Sequence, residues 1–203
     1  QKKNQHIINA AKNFIKKELN IETESDPKIL VNDKSVKNSK LNYKINDEEK
    51  NILLGIGGSG PTKRVPSKIF IDFMNLVDQK YKCKFFLATG KNAEEQKILH
   101  EILITKYKNK CYALDDLSLN EILPIIKNCD ISICNDSSFS HLSSGLGVET
   151  IVLMADTPLL YGSYSPRMHP IIPDGEYTVT HNTLGKNKIN PNKIFEKLIN
   201  ILN

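Results

Sequence analysis

The chain has 203 residues, 39% hydrophobic and 25% charged, with a formal net charge of +5 and no Trp. That is enough apolar content for one sizeable core, and its Lys residues are scattered among Asp and Glu rather than massed with aromatics, which argues against a nucleic-acid ligand. Cys83, Cys111, Cys129 and Cys134 stand singly, without CxxC or paired spacing, which excludes a disulfide framework or a Cys-based zinc site and leaves buried free thiols in a reducing cytoplasm as the expectation.

Residues 6–19 place Ile7, Ile8, Ala11, Phe14, Ile15 and Leu19 on one side and Lys on the other, an amphipathic helix whose stripe requires a cover. Gln1 rather than Met precedes it, so the expectation is a piece of a longer protein with its N-terminal part outside the chain. No run nears the ~20 apolar residues of a membrane span, and no signal-peptide pattern stands at the start. Residues 20–50 are polar, with Pro27 and a short apolar run at 29–31, and read as a loosely structured connector holding one edge strand.

From Asn51 the pattern becomes regular. Strands are predicted at 52–56, 84–88, 111–114, 131–134 and 150–153, with helices between them that carry recognisable starts: Ser67 as a cap, and Asn92/Glu95 and Ser118/Glu121 as capping boxes. Alternation of this kind implies βαβ units and a Rossmann-like parallel sheet of about five strands. Ligands of such sheets lie beyond the carboxyl ends of the strands, where this sequence reads Gly57-Gly58-Ser59-Gly60, Thr89-Gly90, Asp115-Asp116, Asn135-Asp136 and Ala155-Asp156. After Asp156 a stretch rich in Pro, Gly, Ser and Tyr reads as a long loop across that edge, and Asn190-Pro191 starts a last helix.

Residues 128–152 are the most informative: a short apolar strand, the polar exit Asn135-Asp136-Ser137-Ser138, then Phe139, Leu142 and Leu146 on one helical face, with Gly147 as a left-handed cap. An acid, two hydroxyls and free N–H groups at a helix N-terminus form an anion site. The literal G-x-G-x-x-G at Gly55–Gly60 is followed at once by Pro61, and no acid ends the second strand, so a dinucleotide site is a poor fit. The Walker A and nucleophile-elbow patterns fail as well. What remains is a turn that lets a ligand approach the backbone, followed by Lys63 and Arg64, cations suited to a diphosphate. His141 lies one helical turn beyond the polar exit, and no convergent ligand set for a metal appears.

Taken in order, the glycine-rich turn, Thr62-Lys63-Arg64-Val65-Pro66, Thr89-Gly90 with Glu94, Leu117-Ser118-Leu119, Asn135-Asp136-Ser137-Ser138 with His141, and Ala155-Asp156-Thr157-Pro158 resemble the C-terminal half of family 9 glycosyltransferases, the ADP-heptose:lipopolysaccharide heptosyltransferases. The resemblance covers about residues 51–170. It implies a GT-B arrangement in which residues 1–50 are an interdomain helix and connector, 51–203 are a Rossmann-like nucleotide-sugar domain, and the N-terminal acceptor domain lies outside this chain. It further implies inverting, metal-independent transfer, heptose being the family default, from ADP-heptose or another nucleotide-diphosphate sugar to a lipopolysaccharide or other glycan acceptor. No cofactor is implied, and the setting is the cytoplasm, with peripheral contact at the inner membrane face. By the same resemblance the catalytic groups in this half are Lys63 and Asp136. By it Lys63 meets the diphosphate, Glu94 the ribose, Leu117 the base, Asp136 the sugar hydroxyls, and Ser137 and Ser138 the phosphates, with His141 beside them. Gly58, Ser59 and Arg64 join the substrate-binding candidates through the residues' own reading, as the close-approach turn and its second cation. Ser137-Ser138 stands where the family has Thr-Gly, and GIGGSG where it has a His-Pro-Gly type turn, so the donor sugar stays open. A non-catalytic nucleotide-sugar or phosphate module, and more remotely an NAD-dependent enzyme, are the alternatives.

Overall fold

The computed structural model describes residues 7–23 and 26–203; His6, the predicted first residue of the opening helix, lies outside them. Six parallel strands, β1 (Lys50–Gly55), β2 (Cys83–Ala88), β3 (Cys111–Ala113), β4 (Ile131–Asn135), β5 (Thr150–Leu153) and β6 (Met168–Ile171), form one sheet in the order β3-β2-β1-β4-β5-β6. The helices are α1 (Ile7–Leu19), α2 (Asp33–Asn42), α3 (Ser67–Asp78), α4 (Ala93–Leu103), α5 (Leu119–Lys127), α6 (Ser138–Gly145) and α7 (Pro191–Leu202).

Strand parity builds the two faces. Ile52 and Leu54 of β1, with Phe85, Leu87, Ile131, Ile133, Ile151 and Leu153, face α3, α4 and α7, whose Phe70, Phe73, Met74, Ile102, Ile194 and Leu198 are fully buried. Leu53, Phe86, Ala88 and Cys134 point the other way, onto Ile122, Ile125 and Ile126 of α5. Both faces are covered, which is why these strands read as continuous apolar runs.

Three expectations change. The strand count is six, not about five: 168–171 lies in the Pro-, Gly-, Ser- and Tyr-rich stretch expected to be loop, yet a parallel edge strand tolerates Pro170, a residue without an N–H. The connector is not loose, since Asn32 accepts the Lys34 N–H at 2.8 Å and starts α2, and among its described residues before β1 there is no strand. Its apolar run instead packs beside α6, with the Ile29 N–H donating to Gly145 O at 2.7 Å. α2 escapes a periodicity search because it docks through polar groups: Pro124 cannot donate within α5, and its neighbourhood is tied to α2 by Ser39, whose Oγ lies 3.0 Å from Pro124 O, and by Asn128, whose amide reaches Val36 O at 2.9 Å. Third, Pro66 occupies the cap position of α3, and the Ser67 hydroxyl bonds Glu101 instead.

Other signals hold. Gly147 has φ +83 just past α6. Glu121 accepts from both the Ser118 N–H and its hydroxyl, and Asn190 with Pro191 opens α7. Among the described residues no helix is long and apolar enough to cross a membrane. α1 leaves Phe14 65% and Leu19 62% exposed.

Candidate functional site

The strand order reverses between β1 and β4, which places a crevice beyond their carboxyl ends. The two loops singled out from the sequence leave those ends. Gly55, the last residue of β1, lies so close to the neighbouring loop that an added Cβ would sit 2.6 Å from Cys134 Sγ and 3.2 Å from Phe139 Cβ. This packing brings α6 against the glycine-rich turn. Asn135, fully buried, stitches the loops together: its amide donates to Ile56 O at 2.9 Å, and its Oδ1 accepts the Val65 N–H at 3.3 Å.

Lys63 and Asp136 meet here, with Nζ 3.0 Å from Oδ2 and the carboxylate 5% exposed. Asp136 is therefore not the cap of α6; Ser137 is, in extended conformation with φ −151, and its hydroxyl makes no cap bond. Ser137 Oγ and Thr89 Oγ1 are buried without a hydrogen-bond partner. Both residues line a cavity of about 380 Å³ together with Gly57, Gly58, Ser59, Gly90, Glu95, Ser138 and Phe139. The first-turn N–H groups of α6 and two unsatisfied hydroxyls in one cavity favour an anion with several acceptor oxygens.

Gly58 is held from both sides. Its N–H donates to Glu95 Oε1 at 2.6 Å, and its carbonyl accepts from Arg64 Nη1 at 3.3 Å. Arg64, 9% exposed, also pairs with Glu94, whose carboxylate is otherwise exposed. The predicted capping box at Asn92 is half formed: Asn92 accepts the Glu95 N–H at 3.0 Å, but the Glu95 carboxylate turns inward to the glycine turn. Ser59 and Ser138 stand exposed at the mouth. Leu117 lies in the turn after β3, partly buried against the Leu53 and Phe86 cluster, apart from the residues lining the cavity.

His141, half-buried on α6, has Nδ1 2.7 Å from the Tyr164 hydroxyl, with the rings stacked at 5.5 Å. Burial lowers its pKa from the ordinary 6.5, with Lys63 acting the same way and Asp136 against. The imidazole is therefore neutral at neutral pH. Asp156 serves the fold: its Oδ1 accepts the N–H of Leu184, a residue at φ 51. Among the described residues no group of three or more His, Cys, Asp or Glu is placed to hold a metal ion.

The sequence places Thr89 and Asn135 at the ligand edge and Glu95 in a capping box, but assigns none of them to the ligand. For Glu95 and Asn135 the reason is that a polar residue at a strand end or first helical turn is the signal of an ordinary cap. Tyr164 falls in the loop expected across that edge, with no signal that singles it out from the other tyrosines there.

A model of glycosyltransferase family 9 (heptosyltransferase) matches residues 1–193. Among curated proteins, lipopolysaccharide heptosyltransferase 1 of Campylobacter coli is 26% identical over 141 residues, 68% of this chain and 41% of that protein. Among solved structures, ADP-heptose lipopolysaccharide heptosyltransferase II of E. coli superposes with a TM-score of 0.70 at 21% identity, over 87% of this chain and 53% of that one. A family 9 glycosyl transferase from Veillonella parvula gives 0.73 at 17% identity, over 100% and 61%. E. coli heptosyltransferase WaaC, solved with ADP, gives 0.69 at 14% identity, over 98% and 57%. The chain thus spans about two fifths of the curated relative and a little over half of each solved one.

Proposed function

The chain belongs to glycosyltransferase family 9, and from that membership we propose that it is the donor-binding half of a heptosyltransferase-type enzyme, holding a nucleotide-diphosphate sugar in the crevice between the β1 and β4 loops. The observation that carries this is the meeting of Lys63 and Asp136, 73 positions apart in sequence, at 3.0 Å beside the N-terminus of α6. Similarity to a protein solved with ADP supports the choice of ADP as the nucleotide.

In this reading the diphosphate lies against the first turn of α6 and the Ser137 hydroxyl, with Lys63 swinging from Asp136 to share its charge with a phosphate oxygen. Asp136 is then free to accept sugar hydroxyls, and Glu94, exposed beyond Arg64, takes the ribose. Transfer is inverting and metal-independent: an acceptor hydroxyl, deprotonated by a base from the acceptor domain, attacks the anomeric carbon. The bond to the diphosphate breaks, and the charge left on that group is stabilised by Lys63 and the helix N-terminus. Arg64 and Glu95 brace Gly58 from opposite sides, so the glycine turn keeps its shape when the anion arrives. The exposed Phe14 and Leu19 of α1 support residues 1–50 as the connector to the acceptor domain. Heptose as the sugar, a lipopolysaccharide or other glycan as the acceptor, and a cytoplasmic, peripheral setting follow the family.

Calorimetric titration with ADP, UDP and GDP tests the donor site. ADP binds, and Lys63→Ala weakens it by about 10- to 100-fold, the loss of one charge-assisted hydrogen bond. Asp136→Ala spares ADP but lowers affinity for an ADP-sugar. Failure of all three nucleotides to bind, or binding indifferent to Lys63, overturns the proposal.

A further inference from the structure

We propose that Tyr164 is a positioning residue of the donor site: its hydroxyl donates to His141 Nδ1 and keeps the ring proton on Nε2, so that the neutral imidazole offers an N–H to the donor's diphosphate. This rests on the donor-site reading above but concerns a residue outside the two loops that define the crevice.

The geometry comes from two elements. His141 sits one turn into α6, and Tyr164 lies in the loop between β5 and β6, its ring stacked on the imidazole and its oxygen 2.7 Å from Nδ1. A neutral imidazole has one nitrogen that donates and one that accepts. The phenol's single proton decides between the two arrangements. Among the described residues the Tyr164 hydroxyl has no other hydrogen-bond partner, so if Nδ1 donated, the phenolic proton would be left unpaired in a half-buried place. Donation to Nδ1 satisfies both groups and leaves the proton on Nε2, which makes no hydrogen bond among the described residues. Burial, then Asp26 and Asp136, raise the Tyr164 pKa above its ordinary 10.0, so the phenol remains a donor across the working range.

The charges around the ring explain why a tautomer, rather than a protonation, is being set. Lys63 and Asp136, from the β1 and β4 loops, act electrostatically on the imidazole, and Asp26 and Asp136 act on the Tyr164 phenol stacked against it. The pair Lys63–Asp136 is neutral as a unit, so the imidazolium gains little from it, whereas a neutral N–H adds a donor without adding charge. A cation placed beside Lys63 would cost repulsion before the anion arrived.

The loop that carries Tyr164 is itself anchored. Asp26, in the segment between α1 and α2, accepts from the Ser165 hydroxyl through Oδ1 and from Arg167 Nη1 at 2.6 Å through Oδ2. Gly162 presses on the end of β5, where an added Cβ would lie 2.3 Å from Met154 Sδ. Tyr164 is thus fixed by its neighbours on either side rather than by its own ring alone.

The test is a nitrogen-15 NMR measurement of the histidine rings in the ligand-free 203-residue chain at neutral pH, with His141 assigned by its loss in His141→Asn. The expected result is an unprotonated Nδ1 and a protonated Nε2 at His141. In Tyr164→Phe, which keeps the stacked ring, the two signals move toward averaged values, and ADP affinity falls by about 3- to 10-fold, the worth of one neutral hydrogen bond. Asp26→Asn, which loosens the loop, moves both readouts in the same direction by less. A proton on Nδ1 in the parent chain, or a tautomer and affinity unchanged in Tyr164→Phe, overturns the inference even though the parent chain binds ADP. Failure of the parent chain to bind ADP removes the donor-site reading itself.

Discussion

At the level of single residues, the site is a set of charges that neutralise one another until a ligand arrives. Lys63 rests on Asp136 and Arg64 on Glu94, so these pairs cancel, the Glu95 carboxylate is taken up by the Gly58 N–H, and the attraction for anions comes from dipoles and unsatisfied hydroxyls. His141 adds a pH dependence whose sign is fixed. Its folded pKa lies below the ordinary 6.5, so between the two values the unfolded chain binds a proton that the folded chain refuses. The stability this contributes is present above pH 6.5 and is lost as pH falls below it. Comparing urea midpoints of the parent chain and His141→Asn at pH 7.5 and 5.5 therefore shows the parent losing more on acidification; equal losses contradict it. Cys83, Cys129 and Cys134 are buried as the sequence suggested, whereas Cys111 is partly exposed. Burial pushes the Cys83, Cys111 and Cys134 thiols up to about 12 and Cys129 well above its ordinary value, so none is a ready nucleophile. Alkylation by iodoacetamide under native conditions is expected to be slower by orders of magnitude than in denaturant; rapid native labelling at Cys134 would refute its burial.

At the level of elements, legibility followed the kind of contact each one makes. Strands buried on both faces and helices with apolar stripes were visible in the sequence because hydrophobic spacing alone specifies them. β6 was not, because Pro170 is a breaker everywhere except on an edge. α2 was not, because its docking to α5 rests on Ser39, Asn128 and the Pro124 carbonyl in the last turn of α5, contacts that leave no apolar period. Glu95 was read as half of a capping box, and no spacing rule distinguishes a carboxylate that turns back to its own helix from one that turns to a neighbouring loop. The join between β1 and α6 gives a prediction at this scale. Gly55→Ala forces a methyl toward Cys134 Sγ at 2.6 Å in a packed interior, and the expected cost is about 1–3 kcal/mol in a denaturant melt. An unchanged midpoint would mean that the two loops are not held in contact by this packing.

For the molecule as a whole, the sheet order does the positioning. Two strands, β2 and β3, continue outward from β1 and two, β5 and β6, from β4, so the loops after β1 and β4 diverge from a common crevice, and residues distant in sequence arrive together. The order of polar strand ends was legible in the sequence; which of them meet was not, since that depends on strand order. α1 carries apolar side chains with Phe14 and Leu19 largely exposed, while α7 uses its Ile194 and Leu198 inside the domain against α3. The two terminal helices, alike in sequence pattern, thus take different parts: one completes this core, the other offers a surface. The central claim, that the crevice between the β1 and β4 loops receives a diphosphate, is tested most directly by a crystal structure of the chain with ADP. The account predicts the diphosphate within hydrogen-bond distance of Lys63 Nζ and of the first-turn N–H groups of α6, with the Lys63–Asp136 contact lengthened. ADP bound elsewhere, for instance in the cleft that Lys127 and Arg167 line at the far end of α6, with the β1–β4 crevice empty, would contradict it.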